Sequence, residues 1–107
     1  LEIPAGLINP NEDPLNAAKR ELREETGYTS LDWECLGEYY PTPGFCNEIY
    51  HVYLAKNLIS GVQDLDEDER ISVEVFSVDK LKRYIKNNWI KDAKTVLAFY
   101  LSLDKIK

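Results

Sequence analysis

Residues 16–28, NAAKRELREETGY, put three glutamates and two arginines into one short run that stops at a glycine. At about 100° of helix per residue, Glu21, Glu24 and Glu25 stand at i, i+3 and i+4, within an arc of roughly 100°. Like charges at these spacings cost a helix roughly 0.2–0.5 kcal/mol per pair. In many exposed helices, water, salt and neighbouring arginines offset that cost. A hard divalent cation is the other way to offset it. Magnesium and manganese prefer oxygen ligands, and one helix face can supply several carboxylates while leaving room for substrate phosphates. Arg20 stands four residues before Glu24 and can pair with it, whereas Lys19 and Arg23 point to water. Leu15, Ala18 and Leu22 share the stripe that should face the core. Ala17 lies one turn before the glutamates on their side, small enough to leave space.

The spacing upstream decides between the two readings. Gly6 is followed by five residues and then Glu12. Seven more residues lead to Arg20-Glu21-Leu22, one to Glu24-Glu25, and one to Gly27-Tyr28. This run resembles the signature of the Nudix hydrolases, G-x5-E-x7-R-E-U-x-E-E-x-G-U with U aliphatic, and Tyr28 is the one mild departure. The resemblance implies a Nudix-type α/β/α sandwich with a mixed sheet, formed by a single domain over residues 1–107. It implies Glu21 and Glu25 as principal metal ligands and Glu24 as a further or outer ligand. Glu25 also counts among the catalytic carboxylates, and the Ala5 carbonyl is a further metal ligand. Arg20, Glu12, Gly6 and Gly27 take structural roles: Arg20 orients a glutamate, and Gly6 lets the loop fold back on the helix. The implied chemistry is attack of water on a nucleoside diphosphate clamped by Mg2+, or Mn2+ in its place.

Other segments bear on the substrate. YPTPGFCNE (40–48), LEIPAG at the start, DEDE at 66–69 and DAKT at 92–95 resemble the ADP-ribose pyrophosphatase subgroup. This likeness implies ADP-ribose as substrate, cleaved to AMP and ribose 5-phosphate. Another nucleoside-diphosphate sugar or NADH is the alternative, and a domain that senses ADP-ribose without cleaving it is a third reading. Pro43, Gly44 and Phe45 then line the substrate cleft, and Glu48 comes near the metal. The stretch DLDEDER (64–70) packs five acids into six residues. A general base must lie within hydrogen-bond reach of the proton it takes, and the subgroup draws a late glutamate from this loop. Glu67 is the first choice and Glu69 the second. The subgroup is also homodimeric in its full-length form and cytoplasmic.

The rest of the chain must position these groups. Leu1–Pro4 reads as a short strand. Asp13 with Pro14 marks a helix start, and Gly27 its stop. Residues 32–40 and 48–56 read as strands around the proline loop, and ISVEVFSV (71–78) alternates like a third. Ser77 caps a helix over about 78–87, and Asp92 caps a last one, AKTVLAFYLSLDKI. His51 reads as structural or surface. Trp33, Trp89, Phe99 and Tyr100 read as core or interface. Cys35 and Cys46 lack zinc-site spacing and read as reduced thiols. With 107 residues, one small core is possible. The net charge of −6 argues against a nucleic-acid partner, because phosphate backbones need clustered Lys and Arg. No apolar run is long enough to span a membrane. The chain contains no methionine and opens on what reads as the end of a strand. N-terminal strands that pair with it are therefore expected to precede it.

Overall fold

The computed structural model describes residues 1–42, 44 and 48–106. Its elements run α1 (Pro14–Thr26), β1 (Asp32–Tyr39), β2 (Tyr50–Lys56), α2 (Val78–Lys86) and α3 (Ala93–Ser102). Helix and strand types at these five places match the sequence reading. The caps do as well. The Asp13 carboxylate accepts from the N–H groups of Leu15 and Asn16, Ser77 caps α2, and Asp92 caps α3. Gly27 ends α1 in the left-handed region at φ 81°, where an L side chain is strained.

β1 and β2 pair antiparallel, Asp32 opposite Lys56 and Tyr39 opposite Tyr50, with a bulge between Cys35 and Gly37. A single bridge, Thr29 with Ile59, prolongs the ribbon beyond its open end. Trp33 and Tyr53 meet edge to face on it. α3 packs against both strands and α1 against β2. The sheet described is thus the antiparallel part of the expected α/β arrangement.

Two expected strands are not strands. Leu1–Pro4 has no ladder partner among the described residues; the Ile3 N–H instead donates to Thr95 Oγ1 at 3.0 Å. Residues 71–77 likewise pair with no strand, and Val75 is 83% exposed. Alternation supplies a face, but a strand exists only when a neighbour accepts its backbone hydrogen bonds.

The core is thin. Its buried apolar residues are Ala17, Ile90 and Phe99, with Thr95 and Ser30 the buried polar ones. Ala17 is therefore a packing position rather than free space. Trp89 and Tyr100 remain exposed. No helix among the described residues is long and apolar enough to cross a membrane.

Candidate functional site

Arg20 organises the acidic face of α1. Its guanidinium grips both oxygens of Glu12, with Nε to Oε2 at 2.9 Å and Nη2 to Oε1 at 3.1 Å. Nη1 reaches Glu21 at 2.7 Å and Glu24 at 3.3 Å, and Nη2 also donates to the Leu7 carbonyl at 3.0 Å. Such a planar fork fixes direction as well as charge. The hydrogen bond to Glu12 is the chief reason that Arg20 is held even more firmly protonated than usual. The same bond holds the Glu12 carboxyl below the ordinary carboxylate range, with help from the Asn9 N–H at 3.0 Å. Glu12 thereby locks the loop of residues 7–12 onto α1.

Gly6 lies hard against the Glu21 carboxylate. A Cβ there would meet all three atoms of the carboxylate group, with Oε2 at 2.5 Å. Glu25 accepts a hydrogen bond from the Ala5 N–H at 3.0 Å. The contact recorded for Ala5 is thus through its amide. Burial pushes the Glu25 carboxyl up, the Ala5 N–H pulls it down, and the charges of Glu21, Glu69 and Glu2 push it up further. Three acidic side chains thus act on Glu25, of which Glu21 is itself paired with Arg20.

Residues 63 and 64 attach to the last turn of α1, with the Asp64 N–H on the Glu24 carbonyl and Gln63 Nε2 on the Glu25 carbonyl. Glu69 is half-buried, accepts from the Asp66 N–H at 2.8 Å, and is near enough for its charge to act on Glu25. Glu67 is exposed, and its carbonyl accepts from Arg70 at 3.4 Å. Glu48 is exposed just before β2 and has no ion pair or hydrogen bond among the described residues. Gly44 is exposed at φ 87° with open space around it. Pro43, Phe45 and Cys46 lie outside the described residues. His51 faces Glu38 across the ribbon at 3.6 Å.

The donor set suits a hard cation. It is all oxygen and it lies on one helix face. Among the described residues no three acidic, His or Cys groups already converge on one point. Arg20 draws Glu21 and Glu24 to itself, and the Ala5 N–H holds Glu25. Side-chain rotation at the glutamates is what coordination would require.

Two features were invisible in sequence. Gln63 joins the Glu25 and Ile71 carbonyls, yet in sequence it is one polar residue before an acidic run. Gly61 approaches Gly27 so closely that a Cβ on either would lie 2.6 Å from the other's carbonyl oxygen. Neither residue carries a periodic or motif signal.

Comparison with known proteins places this geometry. The NUDIX domain model matches residues 1–99. The chain is 44% identical to the methanol dehydrogenase activator of Bacillus methanolicus, over 98% of this chain and 58% of that protein. It is 40% identical to the ADP-ribose pyrophosphatase of Bacillus subtilis (strain 168), over 96% of this chain and 57% of that one. It is 33% identical to a GDP-mannose pyrophosphatase of Escherichia coli O1:K1, over 99% and 57%. Among solved structures, an ADP compounds hydrolase superposes with a TM-score of 0.80 at 25% identity, covering 92% of this chain and 54% of that one. The chain spans a little over half the length of these relatives.

Proposed function

The chain belongs to the NUDIX domain family, and from that premise we propose that it hydrolyses the diphosphate bond of ADP-ribose to AMP and ribose 5-phosphate. One observation carries the reading: Glu21, Glu24 and Glu25 share a helix face that Arg20 and Glu12 hold in register, and the charges of Glu21 and Glu69 both act on Glu25. The likeness to an ADP-ribose pyrophosphatase supports the choice of substrate. The likeness to a GDP-mannose pyrophosphatase supports a nucleoside-diphosphate sugar as the second reading.

Glu21, Glu24 and Glu25 would hold Mg2+, with Mn2+ as a substitute, and the Ala5 carbonyl and Glu48 would add oxygens. The bound cation supplies charge neutralisation of the diphosphate and lowers the cost of deprotonating water. The chain's own residues do the rest. Arg20 keeps Glu21 and Glu24 aimed along one face, and Gly6 leaves the room that Glu21 occupies. Glu69 is proposed as the loop base ahead of Glu67, because it is half-buried and its charge acts on Glu25. A protein of net charge −6 repels a diphosphate unless cations intervene, so its own acids and the substrate share one need. Pro43, Gly44 and Phe45 are proposed to line the sugar side. The full-length protein is proposed to act as a cytoplasmic homodimer on a small nucleoside diphosphate, without nucleic acid or membrane.

The test is an assay of the full-length protein with Mg2+ against ADP-ribose, NADH, nucleoside-diphosphate sugars and dNTPs. ADP-ribose should be the preferred substrate. Glu25→Gln should keep the fold and lower turnover by on the order of 10²–10³-fold, because cation stabilisation of transition-state charge is a matter of several kcal/mol. Failure to hydrolyse any member of the panel sinks the enzyme reading, and preference for a dNTP sinks the substrate assignment.

A further inference from the structure

The last carbonyls of a helix have no partner within it. At the end of α1 the carbonyls of residues 22–25 each have a partner, and the pattern is informative. The Leu22 carbonyl accepts from Thr26 Oγ1 at 2.5 Å, and the Arg23 carbonyl accepts from the Gly27 N–H at 2.8 Å. These two bonds are local. The Glu24 carbonyl accepts from the Asp64 N–H at 2.9 Å, and the Glu25 carbonyl from Gln63 Nε2 at 2.5 Å. These two come from the far side of the sequence, 38 residues on in the case of Gln63.

Gln63 has a second attachment. The same Nε2 donates to the Ile71 carbonyl at 3.1 Å. A carboxamide nitrogen has two N–H donors, and here both are used: one on the helix end, one on the chain leaving the acidic stretch. Residues 64–70 thus form a ring whose mouth is closed by one side chain on α1. Within the ring, the Asp66 N–H donates to Glu69 Oε1 at 2.8 Å, and the Glu69 N–H donates to the Asp66 carbonyl at 2.9 Å. The approach to the ring is fixed as well. Thr29 and Ile59 exchange backbone hydrogen bonds at 2.9 and 2.7 Å, and Gly61 then crosses Gly27 at a distance that only glycine permits. No other side chain among the described residues ties both stems of the loop to the helix.

The geometry points to Gln63 as a positioning residue: its carboxamide clamps both stems of the acidic loop to the last turn of α1 and so fixes Glu69 opposite Glu25. The inference rests on the reading of Glu69 as the loop carboxylate of the diphosphate site. Gln63 itself touches neither substrate nor metal in this scheme. It acts through the place it gives to Glu69.

The test uses the full-length protein and three variants: Gln63→Met, Glu69→Gln and the double substitution. Gln63→Met keeps the length of the side chain and removes both donors. Backbone amide exchange is measured at Asp66 and Glu69, and kcat and KM are measured with ADP-ribose and Mg2+. Gln63→Met should speed exchange at both amides. It should lower kcat by on the order of 10–100-fold, as loss of a supporting partner does in other sites, with KM little changed. The double variant should be no slower than Glu69→Gln alone, because the clamp acts through that carboxylate. Unchanged exchange in Gln63→Met overturns the clamp, and it does so without reference to turnover. Faster exchange with unchanged kcat overturns the positioning role. A double variant far slower than Glu69→Gln shows that Gln63 acts elsewhere and overturns it too. Wild-type rates in Glu69→Gln remove the reading on which the inference rests, and the inference with it. If Gln63→Met fails to fold, Gln63→Glu, which also lacks the donors at nearly unchanged size, takes its place under the same criteria.

Discussion

Gly6→Ala separates the site from the fold. Gly6 has no left-handed φ, so alanine can adopt its backbone without strain. By itself that exchange stabilises a protein by about 0.4–1 kcal/mol through the unfolded chain. The new methyl, however, falls on the Glu21 carboxylate, with Oε2 at 2.5 Å where ordinary contact begins at 3.4 Å. The carboxylate must retreat by at least about 0.9 Å, and a misplacement of about 1 Å in a catalytic constellation costs on the order of 10²-fold in rate. Glu21 is a flexible side chain, so the retreat itself costs the fold little. The expected result is a melting temperature near that of the wild type, with kcat/KM for ADP-ribose lower by about 10²-fold and a raised Mg2+ requirement. Thermal denaturation and a metal-dependent rate assay on the same samples decide it. A Gly6→Ala protein with wild-type kcat/KM across Mg2+ concentrations would refute the claim that Gly6 sets the place of Glu21.

Three further outcomes are expected. Gly27→Ala forces an L residue into φ 81° and sets its Cβ 2.6 Å from the Gly61 carbonyl oxygen. The left-handed conformation alone costs about 1–2 kcal/mol, so the melting temperature should drop by at least about 4 °C. Thr95→Val removes the hydroxyl that accepts from the Ile3 N–H and donates to Asp92 at 2.8 Å. Thr95 is buried, so the loss should cost about 1–3 kcal/mol in denaturant titration and should loosen residues 1–5 in hydrogen exchange. Asp92 offers a pH test. Burial pushes its carboxyl up, but hydrogen bonds from Thr95 and Lys94 outweigh that and hold it below its ordinary 3.8. A depressed carboxyl contributes stability above the unfolded value and loses it as pH falls through the folded one. Asp92→Asn should therefore be less stable than the wild type near neutral pH, and the gap should narrow in acid titrations below about pH 4.

The extent to which the sequence was legible follows from the range of the interactions. α1 was readable to the residue, because Asp13, Pro14 and Gly27 act on backbone groups within one turn. The acidic face was readable too, since i, i+3 and i+4 spacing is a property of any helix. The pairing of Arg20 with Glu24 was readable from their spacing, but its grip on both oxygens of Glu12 and on the Leu7 carbonyl was not. The strands at Leu1–Pro4 and 71–78 were misread for one reason. Alternating apolar residues specify a face, whereas the ladder depends on which distant backbone is present to pair. In the fold, Ile3 binds the Thr95 side chain and Ile71 binds the Gln63 side chain.

The choice between Glu67 and Glu69 shows where the boundary lies. Both are acids in one loop, two residues apart, and nothing local separates them. The proposed preference for Glu69 rests on tertiary contacts: the loop is tied to the end of α1 through Gln63 and Asp64, and the Glu69 charge acts on Glu25. The sequence by itself determined the acidic helix, its caps and the spacing that marks the family, because those depend on neighbours within a few residues. Only the tertiary structure decided that the Ala5 amide holds the Glu25 carboxylate and that the Gln63 side chain reaches the Glu25 carbonyl. Each of those depends on hydrogen bonds between segments 20 or more residues apart, and no local rule fixes such a pairing.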